Sequence, residues 1–319
     1  MTLYRYASVI ASLIVCLTLS TNCSNQPVQN NIADTTSIAI KYATGFKVKR
    51  EGANTLVEVT YPYQNAKTGY KYLLVPKGET APAHDQQTDV ITVPFQTIVC
   101  TSTTHIPLLD YLGLTDKLIG FPTTDYISSE KMRARVDAGK VTDLGIDKGM
   151  NIELLFSLKP SAVMAFMMGS DLGQLKKIKE LNIPVVVNAE YLEKHPLGRA
   201  EWIKFVGLLF QREKQADSVF NIIEKEYLHT QSLVQNVTTH PTVLSGVVYG
   251  DAWFAPGGQN YAGRFFKDAG CQYLWSDDTS NGYLELSFES VYAKAKEADL
   301  WIGVGTYNSL AEIKAAEER

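Results

Sequence analysis

The chain has 319 residues, 45% hydrophobic and 20% charged, with a formal net charge of −4. That length accommodates two domains, and the slight acidic excess argues against nucleic acid, whose binders carry a basic footprint. After the first residues, no apolar run reaches the length of a membrane-spanning helix.

Residues 1–23 carry one positive charge, Arg5, then an apolar run from Ala7 to about Leu19, then small polar residues ending at Cys23. This resembles the signal peptide of a bacterial lipoprotein, in which the cysteine is lipidated and becomes the new N-terminus. Ser20 and Asn22 depart from the usual residues of that pattern. An ordinary secreted protein is the alternative. The polar stretch after Cys23 makes residues 24–37 a tether.

Residues 38–95 hold GFKVKR, TLVEVTY and GYKYLLV between Gly and Asn turn signals, which predicts a small antiparallel β unit, and KGETAPAHDQQT reads as a loop. From Thr97 the pattern changes to alternating strands and helices: TIVCT, PLLDYLGL with its stop at Gly113, KLIGF, QLKKIKEL, IPVVV and a helical region around Trp202–Phe210. Residues 96–213 therefore form a parallel-rich α/β lobe. Residues 214–236 carry a helical apolar stripe (Ala216, Val219, Phe220, Ile223, Tyr227, Leu233), a rod of about 33 Å. Alternation restarts with TVLSGVV and YAGRFFKDAG, so residues 240–319 form a second α/β lobe. The expected fold class is α/β: two Rossmann-like lobes joined by a single long spine helix, with a small N-terminal β unit. Lobes pinned to one rod close only slightly. AEIKAAEER ends without a helix stop signal, and the second lobe has fewer strands than the first, so the expectation is a chain truncated inside that lobe. Cys100 and Cys271 are expected to be inert core thiols rather than a disulfide.

One passage occurs twice. NIELLFSLKPSAVMAF (151–166) and SFESVYAKAKEADLWIG (287–303) each start with a helix N-cap, Asn151 or Ser287, and place a glutamate two residues later, Glu153 or Glu289. A short amphipathic helix and an apolar strand come next in both, about 136 residues apart. Acidic residues at helix starts also simply complement the dipole.

In their order, IVCTSTTHIPLLDYLGLTDKLIGF, GMNIELLFSLKPSAVMAF, the rod and LSFESVYAKAKEADLWIG resemble the iron-chelate and cobalamin substrate-binding proteins of ABC importers. The resemblance runs from about Thr97 onward. It implies a protein of the cell envelope, lipid-anchored at Cys23 on the periplasmic or extracytoplasmic face, that catalyses nothing and holds no cofactor or metal of its own. Its partners would be an ABC permease dimer with its ATPase subunits, its ligand a ferric chelate (a siderophore), haem or cobalamin. Glu153 and Glu289 would dock on the two permease subunits.

The ligand would meet loops after strands in both lobes. The candidates are Thr104, His105, Tyr126 and Met168 in the first lobe, with Thr103, Met167 and Ser170 beside them. In the second lobe they are Tyr249, Trp253, Phe254, Tyr283 and Tyr307. Aromatic side chains there would offer area and polar handles to a planar chelate. They also commonly cap a core, and His105 is as readily a solvated helix cap. No arginine cluster marks these segments, and Arg264 reads as a helix-face residue, which tilts the expectation toward a neutral or aromatic ligand.

Two further readings stay open. A zinc- or manganese-binding importer component would need converging His and carboxylate ligands, and the five histidines are scattered. An exported chelatase-like enzyme would need a catalytic set, and no nucleophile elbow, P-loop or zinc-protease motif is present.

Overall fold

The structure is a computed structural model that describes residues 35–146, 149–170 and 172–316. Contacts divide the chain after Thr35, and the unit Thr36–Arg319 contains both lobes and all but the first residue of the N-terminal sheet. The signal peptide, Cys23 and the tether as far as residue 34 lie outside the described residues.

The N-terminal unit is a five-stranded sheet, β1 (Thr35–Ile38), β2 (Phe46–Glu51), β3 (Asn54–Val59), β4 (Tyr70–Pro76) and β5 (Thr88–Val93), in chain order. Alternation puts Phe46, Val48, Val57 and Val59 on the buried face. The expected antiparallel unit needs a correction. β5 lies parallel to β4, from Lys71↔Thr88 to Pro76↔Val93, so the polar loop before it is a crossover rather than a boundary.

The first lobe is built on β6 (Ile98–Cys100), β7 (Leu118–Phe121), β8 (Thr142–Asp143), β9 (Ala162–Ala165) and β10 (Val185–Val187). They pair in the order β10-β9-β6-β7-β8, all parallel. Both faces are covered, which is why the central strands read as unbroken apolar runs. Ile98, Cys100 and Met164 point into one core, and Val99, Val163 and Ala165 into the other. The helices are α1 (Ile106–Tyr111), α2 (Glu130–Asp137), α3 (Ile152–Leu158), α4 (Gly173–Glu180) and α5 (Pro196–Leu209). α5 is buried nearly all round, and its Trp202 and Phe205 pack on Phe46 of the N-terminal sheet. Sheet and lobe thus share one hydrophobic core.

The rod is α6 (Glu213–Ser232), 20 residues and about 30 Å long. Ala216 and Phe220 are its buried residues. α6 crosses α5 at Gly207, where a Cβ would stand 2.7 Å from that of Ala216.

The second lobe contains two small sheets. Parallel strands β11 (Thr242–Ser245), β14 (Gln272–Tyr273) and β16 (Leu300–Ile302) run in the order β14-β11-β16. An antiparallel sheet holds β12 (Val247–Tyr249), β13 (Ala252–Pro256) and β15 (Tyr283–Leu286). TVLSGVV is therefore not one strand. At Gly246 (φ +102°) the chain leaves one sheet for the other, and a Cβ there would lie 2.1 Å from the Phe254 carbonyl oxygen. Helices α7 (Tyr261–Asp268), α8 (Phe288–Ala295) and α9 (Leu310–Ala316) complete the lobe. β16 is one of the two edge strands of the parallel sheet, and Leu300, Trp301 and Ile302 are all exposed. Cys100 and Cys271 are both free, and Cys271 is half-exposed rather than a core thiol.

Candidate functional site

In a parallel sheet with helices on its faces, ligands meet the loops beyond the carboxyl ends of the strands. In the first lobe those loops enclose an open cavity of about 470 Å³ lined by Ser102, Thr103, Phe121, Tyr126, Ile146 and Phe166, among others. Tyr126 is 71% exposed, and Met168, beyond β9, is 77% exposed. The Thr104 hydroxyl lies 2.8 Å from that of Ser102, within the cap that starts the turn into α1.

The loop that presents Tyr126 is held rigidly. Thr123 has φ +52°, a strained conformation for a β-branched residue, and its N–H donates to the Gly145 carbonyl at 2.8 Å. Asp143 accepts from the Thr124 N–H (2.8 Å) and hydroxyl (2.7 Å) and from the Gly145 N–H (2.7 Å). Partial burial pushes its carboxyl upward, but those hydrogen bonds prevail and hold it below the usual carboxylate range. Sequence reasoning missed Asp143. The available signal was its place at a strand end before Gly145, where a carboxylate tied to two loops fixes both.

His105 departs from expectation. Its ring is fully buried, so it is neither a solvated cap nor a side chain open to a ligand. Neither ring nitrogen has a hydrogen-bond partner of normal geometry. Burial pulls its pKa down to about 4, against the smaller upward pulls of Glu190 and the Met164 backbone, so it is a neutral imidazole at pH 7. The cause lies in the local fold. The 3-10 turn Thr103–His105 rolls directly into α1, and that geometry turns position 105 inward beside Ile106 and Leu109.

The second lobe also requires a correction. Trp253 and Phe254 lie on strand β13, not on a loop. Alternation sends Trp253 (4% exposed) and Ala255 into a core with Val291 and Ala295. The Trp253 Nε1–H donates to the Ser245 carbonyl at 3.1 Å, and its ring lies 5.4 Å from that of Trp301. Phe254 faces the other way, edge-on to Tyr249 at 6.2 Å. Tyr249 (80% exposed) and Tyr283 (69%) are open. Tyr307 is half-buried in an apolar groove of about 430 Å³ with Trp253 and Trp301.

A second inter-element cavity, of about 660 Å³, separates Lys194 and His195 of the first lobe from Asn260, Arg264 and Lys267 of α7. None of the predicted ligand residues lines it. Arg264, one of its lining residues, donates from Nε to Asp268 at 2.8 Å, and Asp268 also accepts from the Tyr227 hydroxyl at 2.7 Å. Arg264 is thus tied to its own helix, as expected of a helix-face residue. Close by, the Arg199 guanidinium stacks over the Tyr261 ring at 4.6 Å and joins α5 to α7.

Glu153 and Glu289 occupy matching positions. Asn151 caps α3 by accepting from the Leu154 N–H at 2.9 Å, and Ser287 caps α8 by accepting from the Ser290 N–H at 3.2 Å. Each glutamate is exposed in the first helical turn, where the dipole favours its charge. One helical turn further, each has an exposed aromatic residue on the same face: Phe156, 50% exposed, and Tyr292, 62%. Sequence analysis found the carboxylates and not this pairing. Among the described residues, no group of three or more His, Cys, Asp or Glu side chains is placed to hold a metal ion.

Comparisons with known proteins agree with this architecture. The family model for the periplasmic binding proteins matches residues 98–318. An uncharacterized lipoprotein of Methanocaldococcus jannaschii is 25% identical over 251 residues, 74% of this chain and 59% of its own length. The chain therefore spans well under two thirds of that relative. A periplasmic binding protein from Veillonella parvula superposes with a TM-score of 0.58 at 17% identity, covering 82% of this chain and 80% of its own. A periplasmic haem-binding protein from Pseudomonas aeruginosa gives 0.56 at 17% identity, with 70% and 77% covered. At such identities the likeness is one of fold.

Proposed function

The chain belongs to the periplasmic binding protein family, and from that premise we propose that it is the extracytoplasmic substrate-binding component of an ABC importer. Its cargo is a ferric chelate, haem or cobalamin, taken up between the lobes and delivered to a membrane permease whose ATPase subunits supply the energy. The observation that carries this reading is the set of open aromatic side chains on a carboxyl-end loop and at strand ends. Tyr126 stands on one lobe, Tyr249 and Tyr283 on the other, with Met168 beside the first. A planar chelate gains contact area from such rings and hydrogen bonds from their hydroxyls.

Among the described residues, the hydroxyl-rich cavity of the first lobe is lined by no lysine or arginine, which favours a neutral or aromatic face on the ligand over a polycarboxylate. Anchoring at Cys23 by a lipid belongs to this reading and is supported by the lipoprotein relative. Docking through Glu153 and Glu289 belongs to it as well, supported by their matched, exposed positions.

Titration of intrinsic tryptophan fluorescence against haemin, cyanocobalamin and ferric tris-catecholate siderophores tests the proposal. Saturable quenching by one class identifies the cargo. A folded protein that responds to none of the three overturns the chelate reading.

A further inference from the structure

The N-terminal sheet lies outside the residues matched by the family model, and its connection between β3 and β4 is longer than pairing requires. Val59 pairs with Tyr70, so residues 60–69 form an excursion where about two residues would close the hairpin. The base of this excursion is fixed. The Thr60 N–H donates to the Gly45 carbonyl at 2.8 Å, the Val187 N–H donates to the Tyr72 hydroxyl at 2.9 Å, and Lys179 pairs with Asp89 at 2.7 Å.

The tip reaches the other lobe. The Gln64 side-chain nitrogen lies 3.8 Å from where a Cβ would stand on Gly282, and apart from the chain neighbours no other atom of the described residues approaches that position within 4 Å. Gly282 belongs to a loop clamped onto the start of α7. Its carbonyl accepts from the Gly257 N–H at 2.9 Å, the Gln259 N–H donates to the Ser280 carbonyl at 2.9 Å, and the Asn260 amide donates to the Asn281 carbonyl at 3.1 Å. A side chain at Gly257 would strike Ser280, so the close seating depends on glycine. The next residue along is the open Tyr283.

We infer that the β3–β4 turn is a third wall of the binding site and a strap between the lobes. It limits how far they open and adds Tyr61, Tyr63 and Gln64 to the ligand-contacting set beside Tyr283. Tyr61 is 50% exposed, so it has free surface to offer. The wall rests on the ligand-binding proposal above, whereas the strap does not depend on it.

The test replaces residues 61–68 by Asn-Gly, which keeps Thr60 opposite Gly69, and makes Gln64→Ala in parallel as a variant that leaves the hairpin intact. Spin labels at Lys140→Cys and Glu297→Cys, in a full chain carrying Cys16→Ser, Cys23→Ser and Cys271→Ser and keeping the buried Cys100, report the inter-lobe distance without ligand. A broadened distribution in the turn variant, and a smaller broadening in Gln64→Ala, is the expected result. Distributions identical to the parent in both variants overturn the strap. Haemin, cyanocobalamin and a ferric tris-catecholate are then titrated into parent and variants, with about a tenfold loss expected for any probe that the parent binds. Full affinity in the turn variant overturns the wall. Failure of the parent to bind any probe overturns the cargo reading instead, and the distance measurement still decides the strap.

Discussion

The carboxylate of Glu201, within the buried helix α5, accepts the backbone N–H of Tyr42 at 2.8 Å. The same carboxylate takes the N–H of Ala43 and of Lys41, both at 3.0 Å. Glu193 does the same for Thr44 and Gly45, and Glu224 of α6 binds the side chains of Lys41 and Tyr42. Three acids thus hold the short segment that leads into the N-terminal sheet. The contact is close enough that a Cβ on Gly198 would stand 2.9 Å from the Tyr42 carbonyl oxygen.

Glu201→Gln removes a fully buried charge from Lys204 Nζ (2.7 Å) and weakens three charge-assisted hydrogen bonds. We expect a loss of about 2–3 kcal/mol in urea denaturation at pH 7. Burial raises the carboxyl and the hydrogen bonds lower it, with a net shift downward. This stabilisation is therefore present above the unfolded carboxyl pKa and is lost as pH falls through the folded one. In Glu201→Gln that acid-limb loss shrinks. A variant with wild-type stability and an unchanged acid limb would show that the clamp carries no weight.

Ligand affinity and fold stability separate between neighbouring aromatic residues. Tyr126→Ala, Tyr249→Ala and Tyr283→Ala should each weaken binding by about 1–3 kcal/mol in a fluorescence titration, with the melting temperature little changed. Trp253→Ala should do the opposite. It opens a cavity in the second lobe and costs about 3–5 kcal/mol of stability. If a folded Trp253→Ala protein loses affinity at full stability, the ring acts on ligand after all.

Docking should be separable from binding. With Glu153→Ala and Glu289→Ala combined, ligand affinity should stay at the parent value while stimulation of permease ATPase in proteoliposomes is lost. Phe156→Ala with Tyr292→Ala should reduce that stimulation without abolishing it, because each aromatic residue lies one helical turn beyond its carboxylate. Equal stimulation by all variants removes this face from the interface.

Much of the frame was legible because it rests on local rules. The two N-caps and the glycine stop at Gly113 follow from capping and lie where those signals place them, whereas the rod, expected over 214–236, ends at Ser232 and leaves Leu233 exposed beyond it. The features that escaped depend on contacts distant in sequence. β5 pairs parallel to β4 across a long crossover, which a hairpin grammar of adjacent strands does not anticipate. Gly246 moves the chain between sheets, so Trp253, read as a loop residue, enters a strand whose alternation buries it. His105 looked like a helix cap because the capping role falls to Ser102, three residues earlier. Asp143 and Glu201 serve backbone groups from other segments, and no local motif announces such a role.

His105 sets a pH limit of its own. Its pKa is about 4 in the folded chain against 6.5 for an ordinary histidine, so the unfolded chain binds the extra proton between those values. Stability from this residue is therefore complete above pH 6.5 and falls as pH drops toward 4, by roughly 3 kcal/mol in all. Half-buried His195 is also shifted downward, first by burial and then by Arg264, and adds a slope of the same sign. The carboxylates with lowered pKa, Asp143 and Glu201 among them, act at more acidic pH. Between pH 5 and 6.5 the histidines therefore dominate. Urea midpoints for wild type, His105→Leu and His195→Asn across that range resolve them. We expect His105→Leu to remove most of the slope and His195→Asn a smaller part. A His105→Leu protein that keeps the full wild-type slope would mean the imidazole finds a proton-accepting partner, and would contradict its burial as a neutral ring.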